Sequence, residues 1–320
     1  MAMPDASSEL AADFYPPELR ELVRRSIGRS QRRLRAGAPT LARHTLTWMR
    51  TLAGGADPEA YFLVPEAFPM VLLPWWLEST VRGAPALRFQ GDVVYSTVNG
   101  YYFVRMIDDV MDAERQPAAA VLPVLTFFHA EFQQTYYRYF PRDHPFWGAC
   151  NDAALASAEM ASRDARLTEI DRARFVEISA RKIAGARIPI AAVCHRYGRS
   201  DLVEPWFAVV DLFGRWHQML NDIRGWSRDL DGGRRTYFLS QASAVVGPDG
   251  SIAEWVIGDG LGWGAAQLDD WMRELLELAD GLACPPLTTY LEERRRMLAG
   301  EWQALQPSLA ALRRLAEALR

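Results

Sequence analysis

Residues 101–115 are YYFVRMIDDVMDAER. Asp108, Asp109 and Asp112 interrupt a run that is otherwise apolar and aromatic. A helix turns by about 100° per residue, so Asp108 and Asp112, four apart, share a face while Asp109 projects away from it. Val104, Met106, Ile107, Val110 and Met111 around them are the residues of a buried helix, where uncompensated carboxylates repel one another and lose hydration. A cation is therefore expected among them. From this stretch alone the alternative stays open: a solvated face, or pairing with Arg105 and Arg115.

Outward from this segment the helical period continues. ELRELVRRSIGRSQRRL (18–34), AVLPVLTFFHAEFQQTYYRYF (120–140), LDDWMRELLELADGL (268–282) and LQPSLAALRRLAEALR (305–320) place apolar residues three and four apart. Strand-like alternation is nearly absent. Pro141, Pro145, the stretch 198–201, DGGRR (231–235) and VVGPDGS (245–251) punctuate the pattern into about ten to thirteen helices with short connections. No Ser/Gly linker and no repeat divides the chain. The expectation is a flexible N-terminal tail over 1–15 and a single all-α domain over 16–320, a helical bundle whose most apolar helices lie at its centre.

Composition excludes several classes. With 320 residues, 49% of them hydrophobic, the chain can bury a sizeable core and is not disordered. The 36 basic and 40 acidic residues give a net charge of −4 without a long basic block, so nucleic acid is not an expected partner. The three cysteines, Cys150, Cys194 and Cys284, form neither a CxxC pair nor a disulfide framework, which fits a reducing compartment. MAMPDASSELAADFYPPELRE (1–21) has acids where a signal peptide needs a basic and then an apolar region. The most apolar window, YFLVPEAFPMVLLPWW (61–76), is broken by Glu66 and three prolines, so no transmembrane segment is expected. The location expected is the cytoplasm.

A second acidic segment strengthens the case for a site. In QMLNDIRGWSRDLDGGRRTY (218–237), Asn221, Gly225 and Asp229 recur every four residues along one helix face. Asn221 and Asp229 offer oxygen ligands and Gly225 offers space. Hard oxygen donors without His or Cys suit Mg²⁺, which keeps several waters and completes its octahedron with substrate phosphate oxygens. The five histidines are scattered and show no zinc spacing. The ligand implied is a diphosphate, and Arg181, Lys182, Arg224, Arg228, Arg234 and Arg235 flank the segments as candidate cations, each with a solvated helix face as its alternative.

The chain resembles the class I isoprenoid synthases, the all-helical superfamily of terpene cyclases, trans-prenyltransferases and squalene/phytoene synthases. DDVMD (108–112) matches the family's DDxxD motif, and NDIRGWSRD (221–229) resembles the second metal motif of terpene cyclases. The resemblance covers 95–237 well and the flanks by helical character. It implies a class I terpenoid synthase bundle with a central active-site cavity and three Mg²⁺ ions. Asp108, Asp109 and Asp112 would ligate on one side, and Asn221 and Asp229 on the other. RKIAG (181–185) has the Arg-x-x-x-Gly spacing of a diphosphate sensor and helix break, so the resemblance implies diphosphate binding by Arg181, Lys182, Arg228, Arg234 and Tyr237. Two departures stand out: Gly225 replaces a hydroxyl ligand, and Asp229 is a methylene shorter than the usual Glu.

Among the subfamilies, YYFVRMIDDVMD and QMLNDIRGWSRDLDGGRRTY are close to squalene/phytoene synthase wording, yet Gly225 sits where those head-to-head enzymes carry an acid. Nothing before residue 95 resembles the isopentenyl-diphosphate segment of chain-elongating enzymes. The resemblance therefore implies a terpene synthase that ionises an allylic diphosphate, farnesyl or geranylgeranyl, and cyclises or rearranges the cation. Head-to-head prenyl condensation is the alternative. Tyr95, Tyr102, Phe213 and Gly185 are the expected cavity residues, since π faces stabilise a passing cation, with core packing as the alternative for each aromatic. Trp75 and Trp76 could line the cavity or a homodimer contact, although core packing is favoured. GDGLGWG (258–264) lacks the preceding strand of a dinucleotide site and reads as a loop. EERRR (292–296) reads as a solvated helix face, and the resemblance gives as its alternative a C-terminal basic residue brought to the diphosphate on closure.

Overall fold

The computed structural model describes residues 14–111, 122–164, 167 and 169–318. Among them no strand occurs, and twelve helices carry the fold: α1 (Pro17–Gly37), α2 (Pro39–Leu52), α3 (Leu72–Arg82), α4 (Leu87–Met111), α5 (Val124–Gln134), α6 (Phe146–Asp164), α7 (Arg172–Lys182), α8 (Arg187–Tyr197), α9 (Val203–Asp231), α10 (Tyr237–Val246), α11 (Leu261–Gly281) and α12 (Pro285–Ala318). A single turn, Ile252–Trp255, and a π-helical segment, Val256–Gly260, lead into α11. No helix among the described residues is long and apolar enough to cross a membrane. GDGLGWG, expected as a loop, is instead the end of the π segment and the first turn of α11.

The chain divides into two compact units, Met1–Ala154 with Gly185–Val203, and Leu155–Ala184 with Glu204–Arg320; the domain expected over 16–320 spans both. Residues 1–13 of the expected tail lie outside the described residues. Tyr15, within that tail, is fully buried.

In the first unit α4 is the central element, packed against α1 and α5. Its core stripe is Asp92, Tyr95, Asn99, Tyr102, Met106 and Asp109, spaced alternately three and four apart, all buried. Asn99, Asp92 and Tyr95 of the stripe are hydrogen-bonded in place, as burial requires, whereas among the described residues the Tyr102 hydroxyl and Asp109 Oδ1 make no hydrogen bond. Asn99 Nδ2 donates to the Tyr95 carbonyl at 2.7 Å and its Oδ1 accepts from Ser30 of α1 at 3.0 Å. Asp92 accepts from Arg138 at 2.8 Å and from the Tyr139 hydroxyl at 2.7 Å. Helix α8 packs on α3 and α4 and ends at Gly198, whose φ of +63° is the left-handed turn that glycine adopts without strain.

In the second unit α11 packs against α12, and Trp206, Phe213, Trp216, Trp271, Leu275 and Tyr290 form its core. Large side chains buried in this way stabilise the fold by about 1.5–3 kcal/mol each. Close backbone approach selects glycine at two places. A Cβ on Gly214 of α9 would stand 2.6 Å from Ile183, and one on Gly264 of α11 would stand 2.6 Å from Ile223. The three cysteines are free and buried.

Candidate functional site

Asp108 and Asp109 of the first acidic segment lie in the last described turn of α4. Its helical register separates the aspartates as the sequence predicts, and packing then decides their environments. Asp109 continues the core stripe and is 0% exposed, whereas Asp108 on the adjoining face is half-buried. Val110 and Met111, expected in the interior, are 38% and 45% exposed, because the stripe occupies only one side of this last turn. Asp112 lies outside the described residues.

A carboxylate as enclosed as Asp109 must be paired, since loss of one partner of a buried charge costs about 3–5 kcal/mol. It has two partners. Trp48 of α2 donates from Nε1 to Oδ2 at 2.8 Å, and Arg105, one turn earlier on α4, brings Nη2 to 2.7 Å from Oδ1. Burial opposes the charge on Arg105, but Asp109 foremost, then Tyr101, Tyr61 and Asp108, outweigh it and raise the guanidinium above its ordinary value. Beside this pair the hydroxyls of Tyr61 and Tyr101 are hydrogen-bonded. Burial, followed by Tyr61, pushes the Tyr101 phenol well above its usual value, so this hydroxyl stays neutral. Trp48 was not legible as a partner; the signal available was only that a core carboxylate needs donors.

The second acidic segment occupies the last turns of α9. Asn221 is exposed, Asp229 is 6% exposed, and Gly225 lies between them on the same face. Arg228 Nη2 and Asp229 Oδ2 are 3.0 Å and 3.2 Å from the point where a Cβ on Gly225 would stand, so both side chains border the space that glycine leaves. Asp222, between the two candidate ligands, is buried on another face and accepts from Gln218 at 2.7 Å. DGGRR ends the helix: Gly233 takes φ +67°, and the Arg234 N–H closes onto the Asp229 carbonyl at 2.8 Å. Thr236 then caps α10 by accepting from the Leu239 N–H at 3.2 Å.

Of the expected diphosphate-binding cations, Arg228 is 73% exposed and reaches Asp229 at 3.5 Å. Arg234 and Lys182 are half-buried, and the Lys182 carbonyl accepts from Ser157 at 3.3 Å. Arg181 is exposed and lies 3.4 Å from Glu177, which Arg163 approaches at the same distance. A recess of about 140 Å³ lined by Met160, Arg163, Arg174, Glu177 and Ile178 adjoins this cluster. RKIAG breaks the helix, as expected: α7 stops at Lys182 and a 3₁₀ turn, Ala184–Ala186, precedes α8. Gly185 sits in that turn, and a Cβ there would meet nothing within 4 Å. Arg224 pairs with Glu301 of α12 at 2.6 Å.

The aromatic candidates are enclosed by protein neighbours. Tyr95 donates to Glu131, which also pairs with Arg33 at 2.7 Å, while Arg29 covers the Tyr95 ring at 3.8 Å. Tyr102 packs edge-on against Trp48 at 5.6 Å and Phe62 at 5.3 Å. Phe213 stacks on Trp216 at 5.4 Å. Tyr237, 5% exposed, stacks on Phe175 at 4.7 Å, and burial foremost raises its phenol above the ordinary value. The EERRR run is not a simple solvated face. Arg294 within it is 3% exposed and lies 5.1 Å over the Trp216 ring.

For Mg²⁺ the test is the chemistry of the donors. Asp108 in the first unit, and Asn221 and Asp229 in the second, each carry a hard oxygen donor, and among the described residues the partner of the Asp229 carboxylate is Arg228 at 3.5 Å, which leaves lone pairs to donate. In donor chemistry each segment by itself is compatible with the ion. Among the described residues no three His, Cys, Asp or Glu side chains cluster to hold a metal by themselves. No family model, curated protein or solved structure matches the chain.

Proposed function

We propose that the chain is a Mg²⁺-dependent class I terpene synthase, acting on farnesyl or geranylgeranyl diphosphate to give a cyclised or rearranged product and diphosphate. The observation that carries this reading is the pair of acidic segments, DDVMD and NDIRGWSRD, which offer hard oxygen donors, with Asp108 and Asp109 of the first on α4 and the second on α9. Asp108, with Asp112, and Asn221 with Asp229 are the residues that would hold Mg²⁺. The ion supplies charge neutralisation to the departing diphosphate.

The chain's own groups do the remaining work. Arg181, Arg228 and Arg234, with Lys182, bind the diphosphate oxygens and orient the allylic carbon. Arginine is suited to this because its planar fork meets phosphate oxygens two at a time. Neutral phenols, such as those of Tyr101 and Tyr102, expose no competing nucleophile at neutral pH, and apolar walls keep water from the cation. A second reading, head-to-head prenyl condensation, is favoured by the phrase from Gln218 to Tyr237, whose wording is that of squalene/phytoene synthases.

The test is incubation of the purified chain and Mg²⁺ with geranyl, farnesyl and geranylgeranyl diphosphate separately, followed by gas chromatography and mass spectrometry. A cyclic or rearranged product of unchanged carbon number is expected from one of them. Doubled carbon number would replace the first reading by the second, and silence from all three would end both.

A further inference from the structure

We infer that Asp109 is an anchor and not a metal ligand: Trp48 and Arg105 hold its carboxylate in the core, and that hold positions Asp108 on the adjoining face. The inference rests on the proposed function in taking Asp108 to bind Mg²⁺. It corrects the equal weight that the DDxxD pattern gives to its aspartates.

Three observations carry it. Asp109 is 0% exposed; its Oδ2 accepts from the Trp48 indole at 2.8 Å, and its Oδ1, which takes no hydrogen bond among the described residues, is ion-paired with the Arg105 guanidinium at 2.7 Å. A cation could reach it only by displacing both, and would then sit against a guanidinium of like charge. Asp109 is also the last described member of the buried stripe on α4, and Val110 and Met111 beside it are exposed. The tie to Trp48 links α2 to the turn of α4 that carries Asp108, and it fixes the rotation of that turn. Ligands must be held to within about 0.5 Å of their working position, and partners outside the first shell achieve this by locking the elements that bear them. Trp48 itself is oriented by packing, edge-on to Tyr102 at 5.6 Å and tilted to Phe128 at 6.3 Å. Trp48 and Asp109 are therefore positioning residues.

The test uses the full chain with Mn²⁺ as the probe, its free concentration read by electron paramagnetic resonance in the presence of inorganic diphosphate. The variants are Trp48→Phe, Asp109→Asn and Asp108→Asn, each checked for helical content and assayed well below its melting temperature. Trp48→Phe is decisive because it keeps every carboxylate and removes only the indole donor. Trp48→Phe and Asp109→Asn are each expected to weaken Mn²⁺ binding about tenfold, the scale of an outer-shell loss, and their combination to cost little more than either alone. Asp108→Asn is expected to weaken it far more than either. Unchanged affinity in Trp48→Phe overturns the positioning role. Asp109→Asn losing Mn²⁺ as completely as Asp108→Asn, with Trp48→Phe intact, makes Asp109 a ligand. Should Asp109→Asn fail to fold, Trp48→Phe decides the matter alone. A wild-type chain that binds no Mn²⁺ removes the proposed function and the positioning role with it. The melting temperatures of Trp48→Phe, Asp109→Asn and their double variant then report whether the anchor itself exists.

Discussion

Asp229 Oδ2 lies 3.2 Å from where a Cβ on Gly225 would stand, and Arg228 Nη2 lies 3.0 Å from the same point. Both are far ends of flexible side chains, and Arg228 is 73% exposed and free to swing. Gly225→Ala is therefore expected to leave stability unchanged or raise it, since alanine in a helix interior is worth about 1 kcal/mol over glycine. Thermal denaturation checks this. A loss larger than about 1 kcal/mol would mean that the Asp229 carboxylate cannot move aside. Gly225→Ser is expected to be equally well accepted.

The same helix holds the opposite case at Gly214. A Cβ there would meet Ile183 at 2.6 Å and 3.1 Å, and Ile183 closes the end of α7. Gly214→Ala is expected to destabilise by about 1–3 kcal/mol, the range for an overpacked core, despite its better helix propensity. Urea denaturation of the two alanine variants side by side makes the comparison; equal stability would contradict the packing at Ile183.

Asn221 is exposed and Asp229 buried, so their substitutions should separate folding from function. Asn221→Ala is expected to change stability by no more than about 0.5 kcal/mol, as for most surface positions. Diphosphate release from the allylic substrate should nevertheless fall at least about tenfold, which is about 1.4 kcal/mol of transition-state stabilisation. Release at the wild-type rate would remove Asn221 from the mechanism.

Burial foremost, then Arg294 and Arg224, pushes the His217 imidazole down from 6.5 to about 3. A lowered folded value means that the unfolded chain takes the proton first. The stability tied to neutral His217 is thus fully present above pH 6.5 and is lost as pH falls from there toward about 3. The melting temperature is expected to fall over this window, and His217→Gln to flatten the fall by the contribution of one proton. Identical slopes in the two proteins would show that His217 charges freely in the fold.

Tyr95 donates to Glu131, a carboxylate 3% exposed that Arg33 also meets. Tyr95→Phe removes a bond to a charged group and leaves the acid short of a donor, at a cost of about 1.5–3 kcal/mol. Chemical denaturation measures it, and a neutral result would assign the support of Glu131 to Arg33 alone.

Much of this was legible in the sequence, and the rest has identifiable causes. The three- and four-residue spacing of apolar side chains determined that the chain is helical, because amphipathic periodicity is a local property. The angular separation of Asp108 from Asp109, the helix break at Ile183 to Ala186, and the common face of Asn221, Gly225 and Asp229 also follow from local geometry and glycine placement. Tertiary structure alone decided which aspartate is buried. That choice depends on Trp48, 61 residues away, supplying a donor on one side of α4. It likewise decided that Val110 and Met111 face outward and that Arg294 lies among aromatic rings. A helical repeat states how side chains are arranged around an axis; only the elements packed against that axis determine which of them lose their water.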